Sequence, residues 1–528
     1  DAVIIGAGHN GLVCAFYLAR AGLNVRVCEA LPTVGGAAVT EEFAPGFRNS
    51  VASYTVSLLQ PKVIRDMGLA ERGLRIVPRP LANFVPLSDR PGDFLKLGGS
   101  LAASQAEVAK FSPADAAALP AYYAALERVA DVLRARALRV PPDARGGLRA
   151  TIDAALQSRV LARLDLPGRR EALALFARSA REYLDPWFEC APLKAALGFD
   201  AMVGHYAGPD SPGSAYVLLH HVFGEVDGVR GAWGHAIGGM GAITAAMAEA
   251  CRAAGVTIGL DQPVERVLVE SGAAVGVRLA SGDEVCARRV IANVGPAVLY
   301  RRLIARDALP VDFARAIDGY KTGSGSLRMN LALAGLPRFA ALPEPGEHHH
   351  AGIILAPSLD YMERAFADAR SCGWSREPIV EMLIPSTVDD TLAPPGRHVA
   401  SLFCQHFAPR LPGGADWDAH EDAAAEAALA VVERFAPGFR ASILARQVLT
   451  PKGLERRFGL VDGDIFHGRM SLDQLWAARP VLGYGSYRGP LKGLWMCGAG
   501  THPGGGVTGA PGHNCAAAVL KARRRFAR

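Results

Sequence analysis

The first 29 residues constrain the fold more than any other stretch. An apolar run, Ala2-Val3-Ile4-Ile5, leads into Gly6-Ala7-Gly8-His9-Asn10-Gly11. A run rich in Ala and Leu continues to Ala21 and breaks at Gly22, and a second apolar run, Val25 to Cys28, ends on Glu29. Strand, Gly-x-Gly-x-x-Gly, helix, strand and acid in that order make a βαβ unit that binds a dinucleotide. Each part has a physical job. Gly6 permits the tight turn out of the first strand, Gly8 lets backbone approach a pyrophosphate, and Gly11 lets the helix pack closely on the sheet. The positive end of the helix and its free N–H groups hold phosphates. His9 and Asn10 fall in that phosphate loop, where a His9 hydrogen bond to phosphate competes with a solvent-facing loop histidine. Glu29, about 20 residues on, is placed to accept both hydroxyls of a ribose.

The residues after Glu29 select FAD over NAD. Ala30-Leu31-Pro32-Thr33-Val34-Gly35-Gly36-Ala37-Ala38 puts a Gly-Gly pair shortly after the acid. This resembles the extended fingerprint of two-domain flavoproteins, where the paired glycines bring backbone near the pyrophosphate and the ribityl chain. Asn49 to Tyr54 then matches the segment that runs beside the isoalloxazine ring in such proteins.

Composition bounds the rest. At 528 residues the chain is too long for one simple core and suggests two or three domains. The formal charge of +6 is mild at this length. It permits attraction to anionic lipid or to cofactor phosphates, but no basic block or nucleic-acid motif is present, so a nucleic-acid partner is not expected. Nine scattered cysteines include no Cys-x-x-Cys, which argues against a thioredoxin-type disulfide and a Cys-rich metal site. No stretch is long and apolar enough to predict a transmembrane helix. No signal peptide is visible, so a cytoplasmic location is expected, with peripheral membrane contact and a short leader before Asp1 left open.

The periodicity predicts helices over 104–135 and 151–183, separated by Pro141-Pro142 and read as a cap (104–200) over a substrate cavity. Trp233-Gly234-His235-Ala236-Ile237-Gly238-Gly239-Met240-Gly241 precedes a helix over 242–253. Strands are expected over 256–260, 264–269, 274–279 and 285–291, with Val264 near the adenine and Asn293 at the strand exit. No second strand–glycine–helix–acid unit for NAD(P)H is visible. Strands at 328–333, 379–384 and 399–404 and a helix over 416–435 read as the sheet that floors the substrate cavity. The predicted division is a discontinuous cofactor domain (1–75, 230–300, 456–528) and a substrate domain (76–229, 301–455). His348-His349-His350 reads as an exposed polar loop, because three neighbours in a row cannot easily converge on one ion. No metal is expected.

A second cradle lies near the C-terminus. A strand runs into Gly498-Ala499-Gly500-Thr501-His502-Pro503-Gly504-Gly505-Gly506-Val507, and a helix is expected from about Val507. Such a dipole would favour negative charge at the flavin's pyrimidine end. Both ends of the chain are thus expected to grip one cofactor.

These motifs resemble the phytoene-desaturase-like FAD oxidoreductases, and within them the branch called pyridine nucleotide-disulfide oxidoreductase domain-containing protein 2. The opening Ala2 to Val13, Gly35 to Glu42, Ala215-Tyr216-Val217-Leu218-Leu219-His220-His221, Ile465-Phe466-His467-Gly468 and Gly498 to Asn514 carry the likeness. The resemblance implies an α/β Rossmann-like FAD domain of the glutathione-reductase type, joined to an α+β substrate domain of mixed sheet and helices. It also implies hydride transfer from a C–H bond of a hydrophobic substrate, isoprenoid or polyene in type, to flavin N5. One departure stands out: Gly36-Ala37-Ala38 replaces the usual Gly-Gly-Arg, so either FAD affinity is lowered or His9 and backbone groups take over the hold on the cofactor. No acid/base dyad is evident; His235 and His502 are the weak candidates near the predicted flavin. An FAD amine oxidase stays open, with Trp233, Tyr206 and Tyr216 as loose candidates for an aromatic cage. So does a non-catalytic interaction protein on the scaffold of the GDP-dissociation inhibitors.

Overall fold

The computed structural model describes residues 1–526 except 144, 148–151, 153–154, 156–158 and 160–163, and only the backbone of 220, 221 and 524–526. Five short parallel strands centre one half. Their spatial order is Thr257–Gly259, Val25–Cys28, Ala2–Ile5, Val290–Ala292 and Leu494–Met496. Such strands read as continuous apolar runs because helices cover both faces. On one face Ile4, Val25 and Val27 pack against the helices His9–Arg20, Met240–Ala253 and Ala510–Phe526. On the other, Val3, Ile5 and Val290 meet Leu299, Tyr300 and Phe313. A Cβ on Gly512 would sit 2.2 Å from the Asn10 carbonyl oxygen, so the last helix touches the first backbone to backbone. The two chain ends therefore fold as one unit.

Two expectations change here. The predicted strand over 285–291 is two strands in two sheets. Glu284–Cys286 closes a three-stranded antiparallel sheet with Val264–Glu270 and Ala273–Leu279, while Val290–Ala292 enters the parallel sheet. The charged pair Arg288-Arg289 between them cannot enter a strand buried on both faces. The chain also does not leave the cofactor sheet at 300. Phe313 and Ile317, four apart on the helix Val311–Asp318, bury against it, with Phe313 edge-on to Tyr300 at 4.7 Å.

The other half is a seven-stranded sheet in the order Ile443–Leu449, Ser326–Leu333, His398–Phe407, Trp374–Leu383, Gly352–Leu355, Asn83–Pro86 and Phe94–Leu97. The predicted strands at 328, 379 and 399 lie at its centre. Strand alternation sorts its faces. Leu327, Met329, Leu331, Val380, Met382, Leu402 and Cys404 pack with Leu429, Val432 and Phe435 of the helix Glu421–Phe435. Arg328, Asn330, Glu381, Ser401 and Phe403 occupy the alternate positions and point to the opposite face.

A helical layer covers that face. The predicted helix over 104–135 is two helices, Leu101–Ala109 and Pro113–Ala137, because Ser112 caps the second by accepting the Asp115 N–H and Pro113 starts it. Of the predicted helix over 151–183, residues 151, 153–154, 156–158 and 160–163 lie outside the described residues. The remainder includes Leu166–Ala177 and Ala180–Leu184, divided where Ser179 and Glu182 form a reciprocal cap. His348 and His349 are buried, not an exposed loop: they pack on Phe84 and Phe339, and His349 Nε2 lies 2.8 Å from the Pro337 carbonyl. Among the described residues no His, Cys, Asp or Glu group could hold a metal. No helix among them is long and apolar enough to cross a membrane.

Candidate active site and cofactor cradle

A cavity of about 1370 Å³ takes its walls from both halves. It is larger than a pocket for one small ligand, roughly 300–1,000 Å³. Gly6, Gly8, His9, Asn10, Glu29, Ala30, Gly35, Gly36, Ala37, Ala38, Val264, Asn293, Gly505, Gly506 and Val507 all line it. Residues from the two chain ends thus share one groove. Gly11, Gly498 and Gly500 do not line it; they are needed for packing. A Cβ on each would lie 2.3 Å from the Gly6 oxygen, 2.6 Å from the Asn293 oxygen and 2.2 Å from Pro296 Cδ respectively. The C-terminal helix begins at Ala510, and Val507 adopts φ 56°, so the second cradle is the loop before the helix rather than its first turn.

The helix His9–Arg20 starts at Gly8 with no side-chain cap, which leaves its first N–H groups for a ligand. Glu29 braces this loop as well as facing the groove. Its Oε2 accepts the Ala7 N–H at 2.6 Å and its Oε1 accepts the Leu31 N–H at 3.0 Å. Burial raises its carboxyl pKa, and the N–H groups of Ala7, Leu31 and Ala30 pull the other way. Each oxygen keeps a lone pair for a ribose hydroxyl. His9 is not solvent-facing: its Nε2 is buried without a protein partner. Burial, then the neighbouring His467, hold its imidazole neutral with a pKa of about 3.

His467 also lines the cavity, and its Nδ1 lacks a protein partner too. Burial, then Arg479, keep it neutral, with a pKa of about 4. Sequence reasoning missed it as a site residue, since nothing in Ile465-Phe466-His467-Gly468 has a spacing tied to chemistry. Tertiary bonds put it there. Asp464 accepts the Gly323 and Phe466 N–H groups, Tyr320 donates to the His467 carbonyl, and His467 adopts φ 59°. Two orphaned buried imidazole nitrogens over a glycine-lined groove fit a dinucleotide, which supplies partners for both.

The two catalytic candidates fall elsewhere. His235 does not line the cavity: its Nε2 sits 2.8 Å from Asp389 Oδ2, buried in the strand that pairs with Ile76–Pro78. Burial pushes the Asp389 carboxyl up, but hydrogen bonds from His235, Thr391 and Gly238 outweigh it and hold it at about 2. This pair staples the Gly238 turn. His502 is buried with its Nε2 at 3.1 Å from the Arg136 carbonyl, which ties the C-terminal loop to the cap. Of the aromatic-cage candidates only Trp233 lines the cavity; Tyr206 packs on Phe366 and His406, and Tyr216 stacks on Phe176.

A polar cluster outside the glycine motifs borders the same cavity. Sheet register sets Arg328, Phe403 and Glu381 side by side on three adjacent strands. Tyr54 lies over this row. Its ring stacks on Phe403 at 5.6 Å, the Arg328 guanidinium sits 4.2 Å from its centre, and its hydroxyl donates to Glu381 Oε2 at 2.5 Å. Tyr54, Arg79, Asp200 and Glu381 all line the cavity. Burial pushes the Glu381 carboxyl up, against Arg79, Tyr54 and Arg328, and pushes Asp200 well up. The usable sequence signal was a single charged residue set between apolar neighbours within a strand, as in Leu327-Arg328-Met329 and Val380-Glu381-Met382.

A parallel sheet with a capless first helix, an acid on the second strand and a glycine loop returning from the C-terminus defines a dinucleotide-binding oxidoreductase fold. The chain belongs to the family of flavin-containing amine oxidoreductases, whose model matches residues 11–327. It is an oxidoreductase, and its cofactor is FAD. It is 41% identical to pyridine nucleotide-disulfide oxidoreductase domain-containing protein 2 of Rattus norvegicus, over 99% of this chain and 93% of that protein. It is 27% identical to the neurosporene-forming phytoene desaturase of Cereibacter sphaeroides, over 97% and 92%. A putrescine oxidase redesigned in its cofactor binding shares the fold at a TM-score of 0.60 and 17% identity, over 99% of both chains.

Proposed function

We propose that this protein is an FAD-dependent dehydrogenase that removes hydride from a C–H bond of a largely apolar substrate and a proton from the neighbouring carbon. Bound FAD supplies a two-electron acceptor at N5. Gly8, Gly35, Gly36 and the open N–H groups of the first helix would hold its pyrophosphate, with His9 as a neutral partner. Glu29 would hold its ribose, and Gly505 to Val507 would lie against its flavin end. Leu197, Phe199, Leu218, Val222 and Phe403 give the substrate an apolar wall.

The observation that carries the reading is the Tyr54–Glu381 pair in that wall. Glu381 would take the proton as the new C=C bond forms, and the two electrons of the departing hydride are the pair that bound FAD would accept. A carboxyl raised by burial toward the working pH is a better base than an exposed one. Glu381→Gln is expected to lower kcat by roughly 10²–10⁴-fold with the flavin spectrum intact. Because the Glu381 pKa is raised, wild-type kcat should be present at high pH and fall as pH drops through that raised value. A variant that keeps wild-type kcat, or a flat acid limb, shows that the base lies elsewhere.

An amine substrate is the second reading, because two carboxyls, Asp200 and Glu381, line the same cavity. Peroxide release on adding simple alkylamines would favour it over the first.

A further inference from the structure

We propose that Arg79 anchors a carboxylate carried by the substrate, so that the substrate is an amphipathic acid and not a plain hydrocarbon. This rests on the reading of the cavity as a substrate site.

Arg79 follows the short strand Ile76–Pro78 and lines the cavity between Pro78 and Pro80. Its backbone is pinned, since its N–H donates to the Trp233 carbonyl at 2.9 Å. Its guanidinium is not satisfied. Nη2 reaches Thr55 Oγ1 at only 3.4 Å, and Nε and Nη1 are shut off from solvent without any hydrogen-bond partner. Buried donors are rarely left unmet, and such groups point to a ligand outside the chain. Glu381 is close: a Cβ on Gly352 would lie 2.9 Å from Glu381 Oε1 and 3.2 Å from Arg79 Nη1. Yet Glu381 Oε2 is engaged by Tyr54, and Glu381 satisfies neither free Arg79 nitrogen.

The charge balance favours an anion. Arg328, 1% exposed, lies under the same Tyr54 ring, donates to Ser401 Oγ at 2.5 Å, and also has Nε and Nη1 unmet. Two guanidiniums thus share the cluster with Glu381 and Asp200; burial pushes Asp200 well up toward its neutral acid, so even with Glu381 ionised as the base the positive charges outnumber the negative. A guanidinium stays charged where a carboxyl does not, and its planar fork suits a carboxylate. Leu197, Phe199 and Leu218 line the same cavity as Arg79, an apolar wall that suits a hydrocarbon chain attached to that carboxylate.

The test titrates decanoate, decanamide, decan-1-ol and decylamine into the FAD-loaded protein. Binding is read by the change in the visible flavin spectrum and by the thermal shift of the protein. Decanoate is expected to bind at least about tenfold tighter than decanamide or decan-1-ol. Arg79→Met should remove that preference while leaving decan-1-ol affinity in place, and Arg79→Lys should restore part of it. Decanoate binding no tighter than decan-1-ol, an unchanged preference in Arg79→Met, or tightest binding of decylamine each overturns the proposal. The wild-type comparison across the four probes stands even where a variant does not fold. Failure of all four to bind defeats the substrate-site reading itself, whereas binding without preference defeats the carboxylate anchor alone.

Discussion

Arg479→Met is expected to destabilise the protein by about 3–5 kcal/mol and to empty the cofactor cradle. Arg479 is 0% exposed and donates to the carbonyls of Phe466, Gly468, Gln474 and Ala499. It therefore ties the loop that carries His467 to the loop that carries the C-terminal glycines. Methionine has a similar length and no donor, so several buried carbonyls would lose their partner, at about 1–3 kcal/mol each before relaxation. Lysine should rescue little, because a point charge cannot reach carbonyls spread around a planar fork. Thermal unfolding and flavin retention through gel filtration measure the outcome. A variant that keeps the wild-type Tm and its yellow colour would show that the two loops hold together without this residue.

Glu29→Ala is expected to weaken FAD binding by roughly 100-fold, the loss of two hydrogen bonds to a charged acceptor at about 1.5 kcal/mol each. The structure adds a second effect. Because the same carboxylate accepts the Ala7 and Leu31 N–H groups, its removal should also lower the Tm of the FAD-free protein. Glu29→Gln keeps an acceptor oxygen and should fall between the two. Equilibrium dialysis against FAD gives the first number and thermal unfolding of the FAD-free protein the second. Undiminished FAD affinity in Glu29→Ala would remove the ribose assignment, and an unchanged Tm would remove the bracing role.

The cofactor half was legible because its chemistry is local. Gly6 to Glu29 specify a turn, an open helix end and an acid over a short span, and backbone sterics act within that span. Gly11 has the packing role its place in the motif predicts, whereas Gly498 and Gly500, expected in the groove, also turn out to be packing positions, since a glycine required for close packing and one required by a ligand look alike in a sequence. The histidines show a related limit. A ring next to a glycine cluster is only a weak catalytic candidate by sequence, and His235 and His502 turn to Asp389 and to the Arg136 carbonyl, the structural role that sequence favours for them. His467, which nothing local distinguishes, faces the groove instead.

The amino-acid order alone determined that the cofactor is FAD and that each chain end carries a glycine cradle, because each cradle is a short-range pattern of small residues. Tertiary structure alone decided what else shares the cavity. Tyr54, Arg79, Asp200 and Glu381 lie far apart along the chain, and it is strand register that sets Glu381 beside Phe403 and Arg328 under the Tyr54 ring. Long-range pairing of that kind depends on how all seven strands find their neighbours, a property of the whole sheet that no single segment encodes.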